Sequence, residues 1–290
     1  MSVKKRLIKD LAFFSTLRYI MGAYQEVSLM KMRESRGWVV RSRRYLQELG
    51  TVYFQVKFNY QREVTKYKND KSVFGDENVK TVAVLLTPNE KLNGSMPYNV
   101  FRSFKEYVTS HQDIAIIIVG SVGEALYSAS GLNLEHQTFE LLYGKTFEED
   151  LLNLTYVLQE FEEVLIFHGQ FESLIDQESV VTSLRGDPFA SEDKEKSKDA
   201  MIMNKTSFLF EPGIKEVVDF FDSQVRYSLL RQSVHESRLA QYASRASAMD
   251  EALENLNVRH KMLSLKSKRS KRFSKDKAQL EQLNSILSSF

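Results

Sequence analysis

Apolar residues in the last third of the chain recur on a heptad. From Tyr242 through Ala246, Met249, Leu253, Leu256, His260 and Leu263 the steps alternate between four and three. That spacing holds one face of a long helix against a partner helix. From Ile214 to Phe290 there is neither proline nor glycine, so nothing interrupts a helix that would run roughly 110 Å. A rod of that length cannot bury its own seam and requires a second helix. Residues 3 to about 60 supply one. Leu7, Leu11 and Phe14 share a face, and Ile20, Ala23, Val27 and Met30 are expected to extend the stripe. Gly22, Gly37 and Gly50 are weak points within it, each costing about 1 kcal/mol relative to alanine.

Between these helices the period changes. Val79–Leu86 and Ile114–Val119 are continuous apolar runs closed by turn residues, the pattern of strands covered on both faces. Further strands are expected at Gln137–Tyr143, Val164–Phe167 and Val180–Leu184, and a short one at Ser207–Pro212. Helices are expected at Tyr98–Ser110, Gly123–Ser130 and from Thr146 to about Glu162, the last opened by a capping box of Thr146 and Glu149. Strands alternating with helices imply a mostly parallel, Rossmann-like sheet. The expected fold class is therefore α/β with a long antiparallel coiled coil. Residues 1–65 form the N-terminal helix, 66–212 the α/β domain with a charged insertion at 190–206, and 213–290 the C-terminal helix.

Composition narrows the function. An apolar content of 42 % permits a real core, and the absence of cysteine excludes disulfides and thiolate metal sites. The basic start, Lys4 to Arg6, precedes an apolar run too short for a signal peptide. No window reaches the ~18 apolar residues of a membrane span, so a soluble or peripheral protein is expected. The net charge of +2 is near balance but unevenly placed: seven of the twelve residues from Lys266 to Lys277 are basic and one is acidic. Such a run is a solvated helix face or meets an acidic partner. Phe273 is its only aromatic, which supplies a nucleic-acid stacking surface poorly.

Candidate chemistry is sparse. Gly120 and Gly123 follow a strand and open a helix, but the third glycine and tighter spacing of a dinucleotide fingerprint are missing. No two of the five histidines stand at the spacing of a metal-ligand pair. His260 reads as a polar break in the helical seam. No catalytic residue, cofactor or metal is expected.

Several stretches nonetheless resemble one family, the gamma subunit of F-type ATP synthases. The first helix of that family carries a run similar to Ile-Thr-Lys-Ala-Met-Lys-Met-Val-Ala-Ala-Ser-Lys-Leu-Arg, against which Ile20, Ala23, Val27, Lys31 and Arg33 align without a gap. After the first strand, Leu92, Gly94, Asn99 and Phe101 match a Gly-Leu-Cys-Gly-Gly-Leu-Asn-Ser-Asn-Leu-Phe segment. Phe210, Glu211 and Pro212 match the entry to the last helix. Arg245, Ala248, Met249, Ala252 and Asn255 match the C-terminal signature. The chain departs from the family at Lys91–Gly94 and at Lys271–Gln279, where it is more basic and less apolar before Leu280, Leu283, Leu287 and Phe290 restore an apolar tip.

The resemblance implies a central-stalk rotor, without a catalytic site of its own, coupling rotation to ATP synthesis or hydrolysis and to proton or sodium movement. Its implied partners are a hexamer of alpha and beta subunits, an epsilon subunit and a membrane c-ring. The implied location is peripheral, at the cytoplasmic face of the inner (cell) membrane. Expected partner contacts are Lys31, Arg33, Arg245, Met249, Lys268, Arg269, Lys271, Arg272, Leu283, Leu287 and Phe290. Two other readings remain: a gamma-like shaft of a specialised ATPase, and a coiled-coil adaptor binding polyanions through residues 266–277.

Overall fold

The computed structural model describes residues 3–67, 80–111, 113–142, 144, 146–184, 211 and 213–287. The elements in order are α1 (Val3–Tyr67), β1 (Thr81–Leu86), α2 (Met96–Ser110), β2 (Ala115–Val119), α3 (Ser121–Ala129), β3 (Gln137–Phe139), α4 (Phe147–Leu158), β4 (Glu163–Phe171), β5 (Gln177–Ser183) and α5 (Ile214–Leu287). The expected insertion at 190–206, most of the expected Ser207–Pro212 strand and nearly all of the polar stretch 66–78 lie outside the described residues. Contacts divide the chain into two compact units, one of Lys31–Ser244 and one of Met1–Met30 with Arg245–Phe290.

The larger unit is built on a five-stranded sheet in the order β3-β2-β1-β4-β5. The first four strands are parallel, and β5 returns antiparallel beside β4. Val82, Val84 and Leu86 of β1 face Leu151, Leu154 and Leu158 of α4 and Leu230 and Val234 of α5. Ala83 and Leu85 face Val100, Phe104 and Val108 of α2 and Tyr127 of α3. Both faces are covered, which is why β1 and β2 read as unbroken apolar runs. The capping box expected at α4 does not close: Thr146 makes no side-chain cap bond, and its residue is helical rather than extended. The three acids in the first turn of α4 favour that end through the helix dipole instead.

In this unit the second half of α1 runs antiparallel to the first part of α5. Tyr53 Oη donates to Asp222 Oδ1 at 2.6 Å, and Arg43 Nε donates to Glu236 Oε1 at 2.9 Å. The Lys31 ammonium lies 5.5 Å from the centre of the Tyr242 ring. Buried Ser35, Val39, Leu46, Tyr53 and Val56 form the inner stripe of α1. Ser233, Val234, His235, Glu236 and Ser237 are buried in succession on α5. Five consecutive buried residues on a helix mean that it is covered on every side, here by α1 and by the sheet.

In the smaller unit Gln25 Nε2 donates to Asp250 Oδ1 at 2.8 Å, and Ser15 Oγ lies 3.3 Å from His260 Nε2. The helices are again antiparallel. Ala246, Met249 and Leu256 are buried, and Leu253, His260 and Leu263 half-buried, so the C-terminal heptad is the packed seam. The stripe expected on α1 needs correction. Ile20, Ala23, Val27 and Met30 point outward, and the inner face passes instead through Leu17, Met21, Ser28 and Leu29. Ser28, whose hydroxyl donates to the Tyr24 carbonyl, is buried on this face among larger apolar neighbours. Past Ser270 every residue of α5 through Asn284 is exposed.

Candidate functional site

The crevice at the carboxyl ends of the parallel strands is where an open α/β sheet takes a ligand. Here it is full. Gly120 has φ +99°, and a Cβ there would stand 2.2 Å from the Thr87 carbonyl oxygen. Gly123 N–H donates to Thr87 Oγ1 at 2.8 Å. The two glycines therefore serve a tight turn packed on Thr87 rather than a phosphate cradle. Ser237 and Gln241 of α5 close over the same end, leaving about 10 Å³, about the room of one water. Gly94, at φ +61°, faces the Ser244 carbonyl oxygen at 2.8 Å from an added Cβ, so only glycine lets the β1–α2 loop meet α5 this closely.

The histidines have structural roles. His168 is buried, 2.9 Å from Thr182 Oγ1, and burial holds its pKa below the usual value. His235 stacks on Trp38 at 5.8 Å between centroids and meets Phe147 at a tilt, also at 5.8 Å. Burial, then Arg231, Arg238 and Arg41, push its pKa down to about 4, against a smaller opposing pull from Glu148. His111 stacks on Tyr107, and His136 lies 3.3 Å from Glu124. Among the described residues no three histidines or carboxylates converge as a metal site. A cleft of about 270 Å³ lies at the opposite strand ends between α4 and α5. Of its acids, Asp222 is engaged by Tyr53.

The expected contact residues separate into four groups. Arg245 and Met249 are each only 4 % exposed, so the chain's own packing claims them. Lys31 is half-buried against Tyr242, and Arg33 beside it is exposed. Lys268, Arg269, Lys271 and Arg272 are exposed, as is Leu283 at 56 %. Leu287 belongs to α5 but its side chain, like Phe290 as a whole, lies outside the described residues.

Reading the sequence missed how α4 grips α5. Glu148 accepts from Tyr227 Oη and from Arg231 Nη2, both at 2.8 Å. That contact, after burial, helps push the Tyr227 pKa up to about 12. Tyr227 and Arg231 one helical turn apart were the available signal, but their acidic partner is distant in sequence.

Solved structures share this arrangement. The central stalk and c-ring structure of the Tetrahymena thermophila mitochondrial ATP synthase superposes with a TM-score of 0.59 at 18 % identity, covering 80 % of this chain and 99 % of that one. The OSCP/F1/c-ring structure of the Euglena gracilis mitochondrial enzyme gives 0.53 at 15 %, covering 89 % and 94 %. Two antiparallel terminal helices with an inserted α/β domain thus define a central-stalk fold. Residues 5–274 match the family model described as ATP synthase. The ATP synthase gamma chain of Pelotomaculum thermopropionicum is 24 % identical over 274 residues, 92 % of this chain and 91 % of that one. That of Ruthia magnifica is 20 % identical over 275 residues, 91 % and 92 %. The chain belongs to the ATP synthase gamma family.

Proposed function

We propose that this chain is the central-stalk rotor of an F-type ATP synthase or ATPase. One observation supports the reading beyond family membership: residues 271–284 of α5 are helical and, against the described residues, exposed at every position. A helical stretch of about 14 residues is marginal alone in water, so this one is made to lie within another body. The alpha and beta subunits would form that sleeve and carry the ATP chemistry, while the basic run Lys266–Lys277, with Arg33, faces acidic loops lining it. Rotation of an asymmetric shaft changes which site binds nucleotide tightly, and coupling follows from that difference in affinity. The α/β domain would meet the epsilon subunit and the c-ring, through which protons or sodium ions pass. No described helix is long and apolar enough to cross a membrane, which suits peripheral attachment at the cytoplasmic face of the inner membrane.

The basic run Lys266–Lys277 also supports the reading of a gamma-like shaft in a specialised ATPase, because that is where this chain departs from its family. Affinity purification of the full-length chain from its native cells tests both. Alpha-like and beta-like subunits in excess over the tagged chain are the expected result, and their companions distinguish an ion-driven synthase from a specialised ATPase. A polyanion-bound or solitary chain would overturn both readings and leave the adaptor.

A further inference from the structure

The turn joining β4 to β5 displays two apolar side chains to solvent, and it is held in shape. Ser173 Oγ accepts from the backbone N–H of Ile175 at 3.3 Å and of Asp176 at 2.9 Å. Ser173 N–H donates to the Asp176 carbonyl at 2.9 Å. Gln177 Nε2 reaches the carbonyls of Ser173 and Leu174 at 3.2 and 2.9 Å. The ladder below continues through Phe171 opposite Gln177 and Gln170 opposite Glu178. On this frame Ile175 is 79 % exposed, with Leu174 exposed beside it. A fixed apolar pair pays little ordering entropy on binding.

Its charge setting is one-sided. Glu172, Asp176 and Glu178 frame the pair and are all exposed. Residues 131–184 carry eleven acidic side chains against one lysine and no arginine. Tyr98, exposed at the start of α2, stands at the same carboxyl end of the sheet.

We infer that the β4–β5 turn is a docking knob for another subunit of the assembly, one offering an apolar socket rimmed by lysine or arginine. The apolar pair supplies contact area, and the three carboxylates select a basic rim and repel an acidic one. The inference rests on the rotor reading, since it takes its partner from that assembly. The basic run Lys266–Lys277 belongs to a different element, so one chain carries surfaces of opposite preference.

Photocrosslinking in the complex purified from native cells tests it. Ile175→benzoylphenylalanine should give an adduct with a peptide of another subunit that holds lysine or arginine next to apolar residues. Combining it with Glu172→Gln, Asp176→Asn and Glu178→Gln should lower the yield several-fold at low salt and flatten its salt dependence, with the thermal melt unchanged. A Leu283→benzoylphenylalanine control reports on the sleeve. If position 283 crosslinks to alpha or beta and position 175 crosslinks to nothing, to an acidic peptide or to a second copy of this chain, the knob is overturned and the rotor reading stands. If no ATPase subunit is purified and neither position crosslinks to one, both fall.

Discussion

Helix α5 lives in two different environments. Around Ser233–Ser237 it is buried on consecutive positions, wedged between α1 and the sheet. Around Lys271–Asn284 every residue is exposed among the described residues. The first stretch is held by packing: Leu230 and Val234 enter the sheet core, and Glu236 accepts from both Arg43 and Gln232. The second rests on helix propensity, the Lys277–Glu281 ion pair at 3.8 Å, the Ser274 hydroxyl donating to the Ser270 carbonyl and the continuity of the helix behind it. An exposed pair of that kind is worth a few tenths of a kcal/mol. A helix that continues through a stretch exposed among the described residues fits the proposed sleeve outside the chain.

Substitutions should sharpen the contrast. Leu230→Ala opens a cavity in a fully buried position and should cost about 2–5 kcal/mol in a urea unfolding curve. The buried stretch should also confer a pH dependence through His235. Its pKa in the folded protein, about 4, lies below the ordinary 6.5. Stability carried by the neutral ring is therefore complete above about pH 6.5 and falls as pH drops towards 4, where it levels, with on the order of 3 kcal/mol lost. His168, held low by burial, adds a slope of the same sign. The difference between wild type and His235→Gln across that window isolates the His235 part. Arg43→Ala removes one partner of Glu236, whose side chain is 7 % exposed, and should cost about 1–3 kcal/mol by chemical unfolding. At the exposed end, Leu280→Ser with Leu283→Ser should shift unfolding by less than about 0.5 kcal/mol. The same double variant should weaken retention of alpha and beta subunits on purification.

The heptad of α5 was legible because its seam residues from Ala246 to Leu263, His260 apart, are apolar and regularly spaced. On α1 the same logic selected the wrong face at Ile20, Val27 and Met30. There the packed positions include Ser28 and Ser35, which hydropathy does not flag, while several large apolar side chains are left outside. The paired glycines at 120 and 123 read correctly as a turn, because the spacing of a phosphate loop was absent. Glu148 escaped notice for another reason. Its neighbour Glu149 fitted a local capping box, whereas Glu148 is fixed by Tyr227 and Arg231 far along the chain. Local patterns reveal elements; long-range polar pairs appear only once the elements are packed. Of the expected contacts, Arg245 and Met249 proved to be buried, which the sequence pattern did not reveal.

Single-molecule rotation tests the central claim most directly. The chain has no cysteine, so Glu149→Cys on the exposed surface of α4 offers a unique attachment point for a bead, with the alpha–beta hexamer fixed to glass. The account predicts unidirectional, stepwise rotation on adding ATP, stopping when ATP is removed. ATP hydrolysis by the same complexes with the attached bead stationary would contradict it.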